Sequence, residues 1–229
     1  MRAFSGYPKE SLLFLQQLAS HNSKDWFNDN KAHYEQLIRG PSLAFIETME
    51  PHLHAISPRF LASAKKSGGS LMRVYRDTRF SKDKTPYKTN IGIQFRHEVG
   101  KDVHAPGFYV HIEPANCFLG VGIWHPDTQT LSKIRDFILG NPASWKAARD
   151  EKAFAKAFSL AGDSLKRPPR GYPADHAFID DLKRKDFIVC KNFDSEQINK
   201  AAFPQFVAKS YQQADSFMHY LCEALELAY

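Results

Sequence analysis

The chain has 229 residues, of which 43% are hydrophobic and 24% are charged. This composition is typical of a globular protein and excludes a disordered chain. No apolar run approaches the ~20 residues of a membrane-spanning helix, so no membrane partner is expected. The net charge of +6 suits an anionic partner without identifying one. Three separated cysteines, and a start that lacks a signal-peptide pattern, predict a cytoplasmic location.

The first third of the chain has helical periodicity. Pro8 suits a first helical turn, and leucines recur after it at helical spacing. Ser23 is the predicted N-cap of a second helix, and Gly40-Pro41 is expected to break that helix. A third helix is predicted to start at Pro41 and to end at Ser57-Pro58.

The middle third alternates residue by residue between apolar and other side chains, which is the pattern of half-buried strands. The alternation predicts antiparallel strands near residues 91–96, 108–113 and 117–124. The short stretch 114–116 is expected to join the last two strands as a hairpin. Leu71–Arg76 is a predicted fourth strand.

The final third is mostly helical again, with Asp127 and Ser195 as predicted N-caps. Phe187–Cys190 is a predicted short strand, and the proline-rich stretch 166–171 is expected to be irregular. Helices, then strands, then helices predict an α+β fold with an antiparallel sheet formed by the middle of the chain. We expect one domain over residues 1–229, in which N-terminal and C-terminal helices pack on that sheet.

The basic segment, residues 73–88, concentrates the positive charge. It holds six cationic and two acidic side chains, so its net charge is +4. Arginine forks bind phosphate or carboxylate oxygens, and lysines add point charges. The segment is therefore predicted to line a cleft that binds a phosphate- or carboxylate-bearing ligand. The predicted ligand-binding residues are Arg73, Arg76, Arg79, Lys82, Lys84, Lys88, Tyr87 and Tyr109.

The alternation along residues 108–113 also predicts a polar row on the sheet face opposite the core. Tyr109, His111 and Glu113 share this face, and glycines at 120 and 122 leave it without side chains on the next strand. A polar row beside a bare patch is a predicted cleft floor. The alternative is that His111 is solvent-exposed, or bonded to Glu113, and has no chemical role.

If the cleft carries out chemistry, proton transfer is assigned to carboxylates and to one imidazole. The predicted catalytic residues are Asp77, Asp83, His111 and Glu113. No histidine has the spacing of a metal site, so no metal ligands are assigned. The cofactor stays open.

Three classes of function remain open from the residues alone. An enzyme would bring the cationic and acidic groups together in one pocket, with phosphoester or nucleotide chemistry as its first candidate. A nucleic-acid-binding module would spread the cations over an open face and stack bases on Tyr75, Phe80 and Tyr87. A structural or interaction protein would pair every arginine internally. The partner is thus an anionic small molecule, a nucleic acid or another protein, and the oligomeric state is undetermined.

The stretch from Arg73 to Thr89 resembles the signature of domain-of-unknown-function family 2461. It reads Arg-Val-Tyr-Arg-Asp-Thr-Arg-Phe-Ser-Lys-Asp-Lys-Thr-Pro-Tyr-Lys-Thr. Further matching stretches are Trp26-Phe27 with Tyr34, Gly107–Ile112, Gly120-Val121-Gly122 and Leu165–Phe187. The resemblance implies a single α+β domain that is widespread among microbes. It implies no established activity, cofactor or catalytic residue.

Overall fold

Alternating apolar residues build an antiparallel sheet at the centre of the structure, a computed structural model that describes residues 4–100 and 104–229. The strands are β1 (Ile91–Arg96), β2 (Gly107–Ile112), β3 (Phe118–Ile123), β4 (Ser159–Ala161) and β5 (Phe187–Asn192). They are ordered β1-β2-β3-β5-β4, and each neighbouring pair is antiparallel. The chain is a single α+β domain, as predicted.

Helices precede the sheet in the chain and return after β3. The N-terminal ones are α1 (Ser11–Ser20), α2 (Lys24–Asp29), α3 (Lys31–Tyr34), a π-helical turn (Glu35–Arg39) and α4 (Gly40–Ile56). The later ones are α5 (Thr128–Gly140), α6 (Pro142–Arg149), α7 (Lys152–Ala157), α8 (Ile179–Leu182), a 3-10 helix (Ser195–Asn199), α9 (Phe203–Gln212) and α10 (Asp215–Ala224). None of the helices within the described residues combines the length and apolar composition needed to cross a bilayer.

The core lies on one face of the sheet. Phe108, Val110 and Ile112 of β2 are fully buried, and the Phe108 ring packs 4.7 Å from that of Tyr211 on α9. Trp145 of α6 is also fully buried in this layer. The alternate residues of β2 point to the opposite, partly open face, so the predicted parity of this strand is confirmed.

The prediction that Gly40-Pro41 breaks the second helix is wrong. The helical path continues from α3 through the π-helical turn into α4, because the Gly40 N–H bonds to the Glu35 carbonyl five residues back. This wide turn lies directly before Pro41, which occupies the first turn of α4. The wider turn shifts the backbone hydrogen bonding immediately before Pro41, which has no N–H to donate.

The predicted strand Leu71–Arg76 is also wrong, since only isolated bridges form there. Leu71 bridges to Ile93 and Tyr75 bridges to Tyr87. The stretch that pairs with this segment, residues 87–93, bends at residues 89–90 between the two bridges, so no continuous ladder forms. The segment still runs alongside β1, with the Met72 N–H donating to the Gly92 carbonyl over 2.9 Å.

Ser195 does not cap the C-terminal helices. The Asp194 carboxylate caps the 3-10 helix by accepting the Glu196 N–H at 2.8 Å, and Ser195 is the first residue inside that helix. Helix α9 begins later, at Phe203, without a side-chain cap. Aspartate and serine are equally good N-caps, so sequence alone placed the boundary one residue too late.

Candidate functional site

The C-terminal part of the basic segment is fixed against the turn between α1 and α2. The Asn22 side chain donates from Nδ2 to the Tyr87 carbonyl and accepts the Tyr87 N–H at Oδ1, each over 3.0 Å. The Tyr87 ring stacks on Phe27 at 4.1 Å and is only 4% exposed. One asparagine thus pairs with both backbone groups of Tyr87 and holds the following residues in place.

These contacts form one wall of a pocket of about 410 Å³. The α1–α2 turn contributes one side, and the end of the basic segment with the two residues after it contributes the other. The lining residues are Ala19, Asn22, Arg76, Asp83, Thr85, Tyr87, Lys88, Thr89 and Asn90. Small-molecule sites typically have volumes of ~300–1,000 Å³, so this pocket is large enough for a small ligand.

Three of the six cations in the basic segment are satisfied within it. Arg76 forms an ion pair with Asp83 and donates to Thr85 Oγ1 at 2.7 Å. Arg79 holds Asp77 with two hydrogen bonds, of 3.0 and 2.7 Å. Lys84 donates to the carbonyl of Thr78 over 2.8 Å. These contacts are the ones expected of a basic loop whose cations pair with acceptors inside the loop.

The other three cations, Arg73, Lys82 and Lys88, differ from these. Within residues 4–100 and 104–229, none of them has a side-chain hydrogen bond or ion pair. Arg73 and Lys82 are exposed, whereas Lys88 is partly buried and lines the pocket. Burial lowers the pKa of the Lys88 ammonium, and the positive charge of Arg73 lowers it further. The pocket wall therefore carries a positive charge that no carboxylate of the described residues contacts.

The two carboxylates of the segment organise the loop. Hydrogen bonds from Arg79 hold the pKa of Asp77 at about 2. The Thr85 N–H and the Arg76 guanidinium do the same for Asp83. Both side chains are exposed and stay ionised near neutral pH, which suits loop organisation better than proton transfer. Their predicted catalytic role stays a prediction.

The lowered pKa values give a pH-dependent expectation for this loop. The folded-state values lie below the ordinary value of 3.8, so the two carboxylates stabilise the folded loop above that pH and lose this effect as pH falls through about 2. We expect carboxyl ¹³C titrations of Asp77 and Asp83 with midpoints near 2. Arg76→Ala should move only the Asp83 midpoint upward, and a wild-type midpoint near 3.8 for either group would contradict the pairing.

A chain of hydrogen-bonding side chains runs along the open face of β2. Tyr109 Oη lies 3.1 Å from His111 Nδ1, and His111 Nε2 lies 3.2 Å from Glu113 Oε2. In the tautomer that donates from Nε2 to the carboxylate, Nδ1 accepts the tyrosine proton. The imidazole stacks on Phe118 at 4.6 Å, which fixes the plane of the ring. The arrangement can pass a proton between a phenol and a carboxylate.

This polar chain adjoins the pocket through two shared residues. Thr89 Oγ1 donates to Glu113 Oε1 at 3.3 Å, and Asn90 Nδ2 lies 3.5 Å from His111 Nδ1. Both Thr89 and Asn90 also line the pocket. The structure brings the basic segment and the polar row together at these two residues. Burial, and secondarily the charge of Glu113, raises the pKa of Tyr109 to about 12.

Two pocket residues and one glycine beside the polar chain were not apparent from the sequence. Asn22 lies 65 positions from Tyr87, to which it bonds, and nothing in its local sequence distinguishes it from any other asparagine in a turn. Asn90 follows the last charge of the basic segment and carries no signal of its own. Gly92 lies outside the pocket, and a Cβ there would lie 2.7 Å from the Tyr109 hydroxyl and 3.0 Å from the Met72 sulfur, so both side chains would have to move.

The described part of the chain contains no group of side chains that could form a metal centre. No three histidine, cysteine, aspartate or glutamate side chains converge there as ligands. His111 and Glu113 are adjacent, but the other side chains that bond to them are Tyr109, Thr89, Asn90 and Asn116. These groups complete a hydrogen-bonded chain instead.

Comparison with protein-family models gives one match, to the family described as conserved hypothetical protein (DUF2461), over residues 10–220. The chain belongs to this family. The DUF2461 match includes the whole basic segment, every pocket-lining residue and the polar chain on β2. A search of curated proteins finds no match to the chain, and a search of solved structures finds none either.

Proposed function

We propose that this DUF2461 protein binds a small phosphate- or carboxylate-bearing ligand in the 410 Å³ pocket, with Lys88 as the charged anchor. The observation that carries the proposal is the state of Lys88. Its ammonium is partly buried and lines the pocket, and no carboxylate contacts it within the described chain. Partial burial of an unpaired charge is unfavourable, and a bound anion would offset that cost.

The surrounding groups support the same anchor. Arg73 lies close enough to lower the pKa of Lys88 by charge repulsion, so an anion between them would relieve that repulsion. Thr85 and Thr89 line the same pocket, with their hydroxyls bonded to Arg76 and Glu113 respectively. Arg76 also lines the pocket, but its guanidinium already binds Asp83, so it contributes the shape of the site more than free charge.

An enzymatic role would use the polar chain beside the pocket. Glu113 and His111 would accept a proton from a ligand group held near Asn90, and phosphoester or nucleotide chemistry would be the first reactions to assay. A nucleic-acid module has less support. Phe80 is 96% exposed and Tyr75 55% exposed, but the third proposed stacking residue, Tyr87, is 4% exposed and covered by Phe27.

The test compares two substitutions that remove the same charge from the same segment. Phosphate, sulfate and citrate should raise the melting temperature of the wild type and of Lys82→Gln, because Lys82 is exposed and outside the pocket. Lys88→Gln should lose most of that shift. Without ligand, Lys88→Gln should be at least as stable as wild type, because it removes a partly buried unpaired cation. Equal shifts in both variants would reject Lys88 as the anchor.

We also propose a cytoplasmic location. The three cysteines, Cys117, Cys190 and Cys222, are free thiols, which supports a reducing compartment.

A further inference from the structure

Most of the pocket lining is polar and uncharged. Apart from Lys88 and the Arg76–Asp83 pair, it consists mainly of short neutral side chains that form hydrogen bonds. They are Asn22, Thr85, Thr89 and Asn90. Ala19 and Tyr87 are the remaining lining residues. A ligand that extends beyond its anionic group would therefore meet amides and hydroxyls over most of its surface.

Several of these groups keep unused hydrogen-bonding capacity. Thr89 donates its hydroxyl proton to Glu113, so its oxygen can still accept. Within the described structure, the Asn90 side chain bonds only through Nδ2, at 3.5 Å from His111 Nδ1. Its side-chain oxygen Oδ1 can therefore accept a hydrogen bond from a ligand. Asn22 engages Oδ1 and one Nδ2 hydrogen with Tyr87 and keeps its second amide hydrogen. The lining thus keeps both acceptors and a donor free, and ligand hydroxyls can both donate and accept.

The pocket offers no aromatic face to a planar ligand. Tyr87 is its one aromatic lining residue, and its ring is 4% exposed. Phe27 stacks on that ring at 4.1 Å, and Tyr75 packs against it at 5.5 Å. A nucleobase bound here would lose water without gaining a stacking partner. A purely aliphatic carboxylate would leave the amides and hydroxyls without partners, which is costly for groups removed from water.

We infer that the ligand of this pocket is a small phosphorylated polyol of the sugar-phosphate class. The inference rests on the proposed function, because it takes Lys88 as the site of the anionic group. The phosphate lies at Lys88, and the hydroxyls lie at Asn90, Thr89 and Asn22. The volume of about 410 Å³ leaves room for several carbons with their hydroxyls beyond the phosphate.

The test is calorimetric titration of the full chain with five probes. They are inorganic phosphate, butyl phosphate, ribose 5-phosphate, adenosine 5′-monophosphate and citrate. We expect ribose 5-phosphate to bind at least ~10-fold tighter than inorganic or butyl phosphate, since a site that hydrogen-bonds hydroxyls discriminates against compounds that lack them. Adenosine 5′-monophosphate should bind no tighter than ribose 5-phosphate, because the base finds no stacking surface.

A matched pair of asparagine variants locates the hydroxyl contacts. Asn90→Ala should lower the affinity for ribose 5-phosphate at least ~5-fold and leave that for inorganic phosphate unchanged. Asn28→Ala, an exposed residue of α2 outside the pocket, should change neither. An Asn90→Ala protein that binds ribose 5-phosphate like wild type would overturn the placement of the hydroxyls.

The outcomes separate this inference from the proposed function. Equal affinity for ribose 5-phosphate, butyl phosphate and inorganic phosphate would overturn the polyol class, while anion binding at Lys88 would stand. A clear preference for citrate or for adenosine 5′-monophosphate would likewise overturn the polyol class. If none of the five probes binds, and Lys88→Gln behaves like Lys82→Gln, both proposals fail together.

Discussion

Gly122→Ala is expected to destabilise the fold by about 3 kcal/mol, because Gly122 has a backbone that other residues rarely adopt. Its φ is +125°, and a Cβ on it would overlap the backbone carbonyl of Phe187 on the adjacent strand β5. Strained backbone alone costs ~1–3 kcal/mol, and relieving the overlap would separate β3 from β5. Urea unfolding of the variant measures the loss.

Gly120→Ala is the control on the same strand and the same face. The nearest atom to its added Cβ is the Cβ of Tyr109 at 3.4 Å, an ordinary contact, and its φ is not positive. We expect a change below ~1 kcal/mol for this variant. Equal unfolding midpoints for the two variants would show that the Gly122 conformation is not required.

Asp186→Ala is expected to cost about 3 kcal/mol, because one buried carboxylate holds two turns of the chain. Asp186 is 1% exposed and accepts the backbone N–H groups of His125 at 2.7 Å and Asp163 at 2.9 Å. The His125 ring contacts it as well, with Nδ1 at 3.0 Å from Oδ1. Removing the acceptor leaves these donors without this partner, and an unmade hydrogen bond costs ~1–3 kcal/mol where the donor is shielded from water.

Asp186→Asn refines the measurement. It keeps one acceptor oxygen in place, so it should lower the free energy of unfolding less than the alanine substitution does. Its circular dichroism spectrum should stay that of the wild type. His125 has a φ of +48°, and Asp186 is the contact that stabilises this turn through both the backbone and the ring. An alanine variant as stable as wild type would mean that water replaces the carboxylate.

The predictions from sequence that held depend on local physics. Asp127 was assigned as an N-cap, and its carboxylate accepts the Thr130 N–H at 2.7 Å, three residues away. The burial of Phe108, Val110 and Ile112 follows from a two-residue period that needs no knowledge of the partner strand. Fold class followed because such local elements occur in blocks along the chain.

The features that were missed depend on distant parts of the chain. Strand β4 has only three residues and exists because Leu160 pairs with Val189 of β5; no alternation of that length is distinguishable from a loop. The pairing of the Asn22 amide with the backbone of Tyr87 is equally non-local. For the site, charge density identified the segment, but the division into paired and unpaired cations depends on which carboxylates the folded loop brings within reach.

The segment at residues 70–76 has a second consequence for the molecule, beyond carrying cations. The Met72 N–H donates to the Gly92 carbonyl at 2.9 Å, and the Gln94 N–H donates to the Ser70 carbonyl at 2.8 Å. Without this segment, the outermost strand β1 would present those groups to other molecules, and an uncovered strand of this kind templates intermolecular sheet growth. Residues 70–76 therefore cover this edge of the sheet, and we expect a shortened chain that lacks them to aggregate at concentrations where single substitutions within the basic segment remain monodisperse.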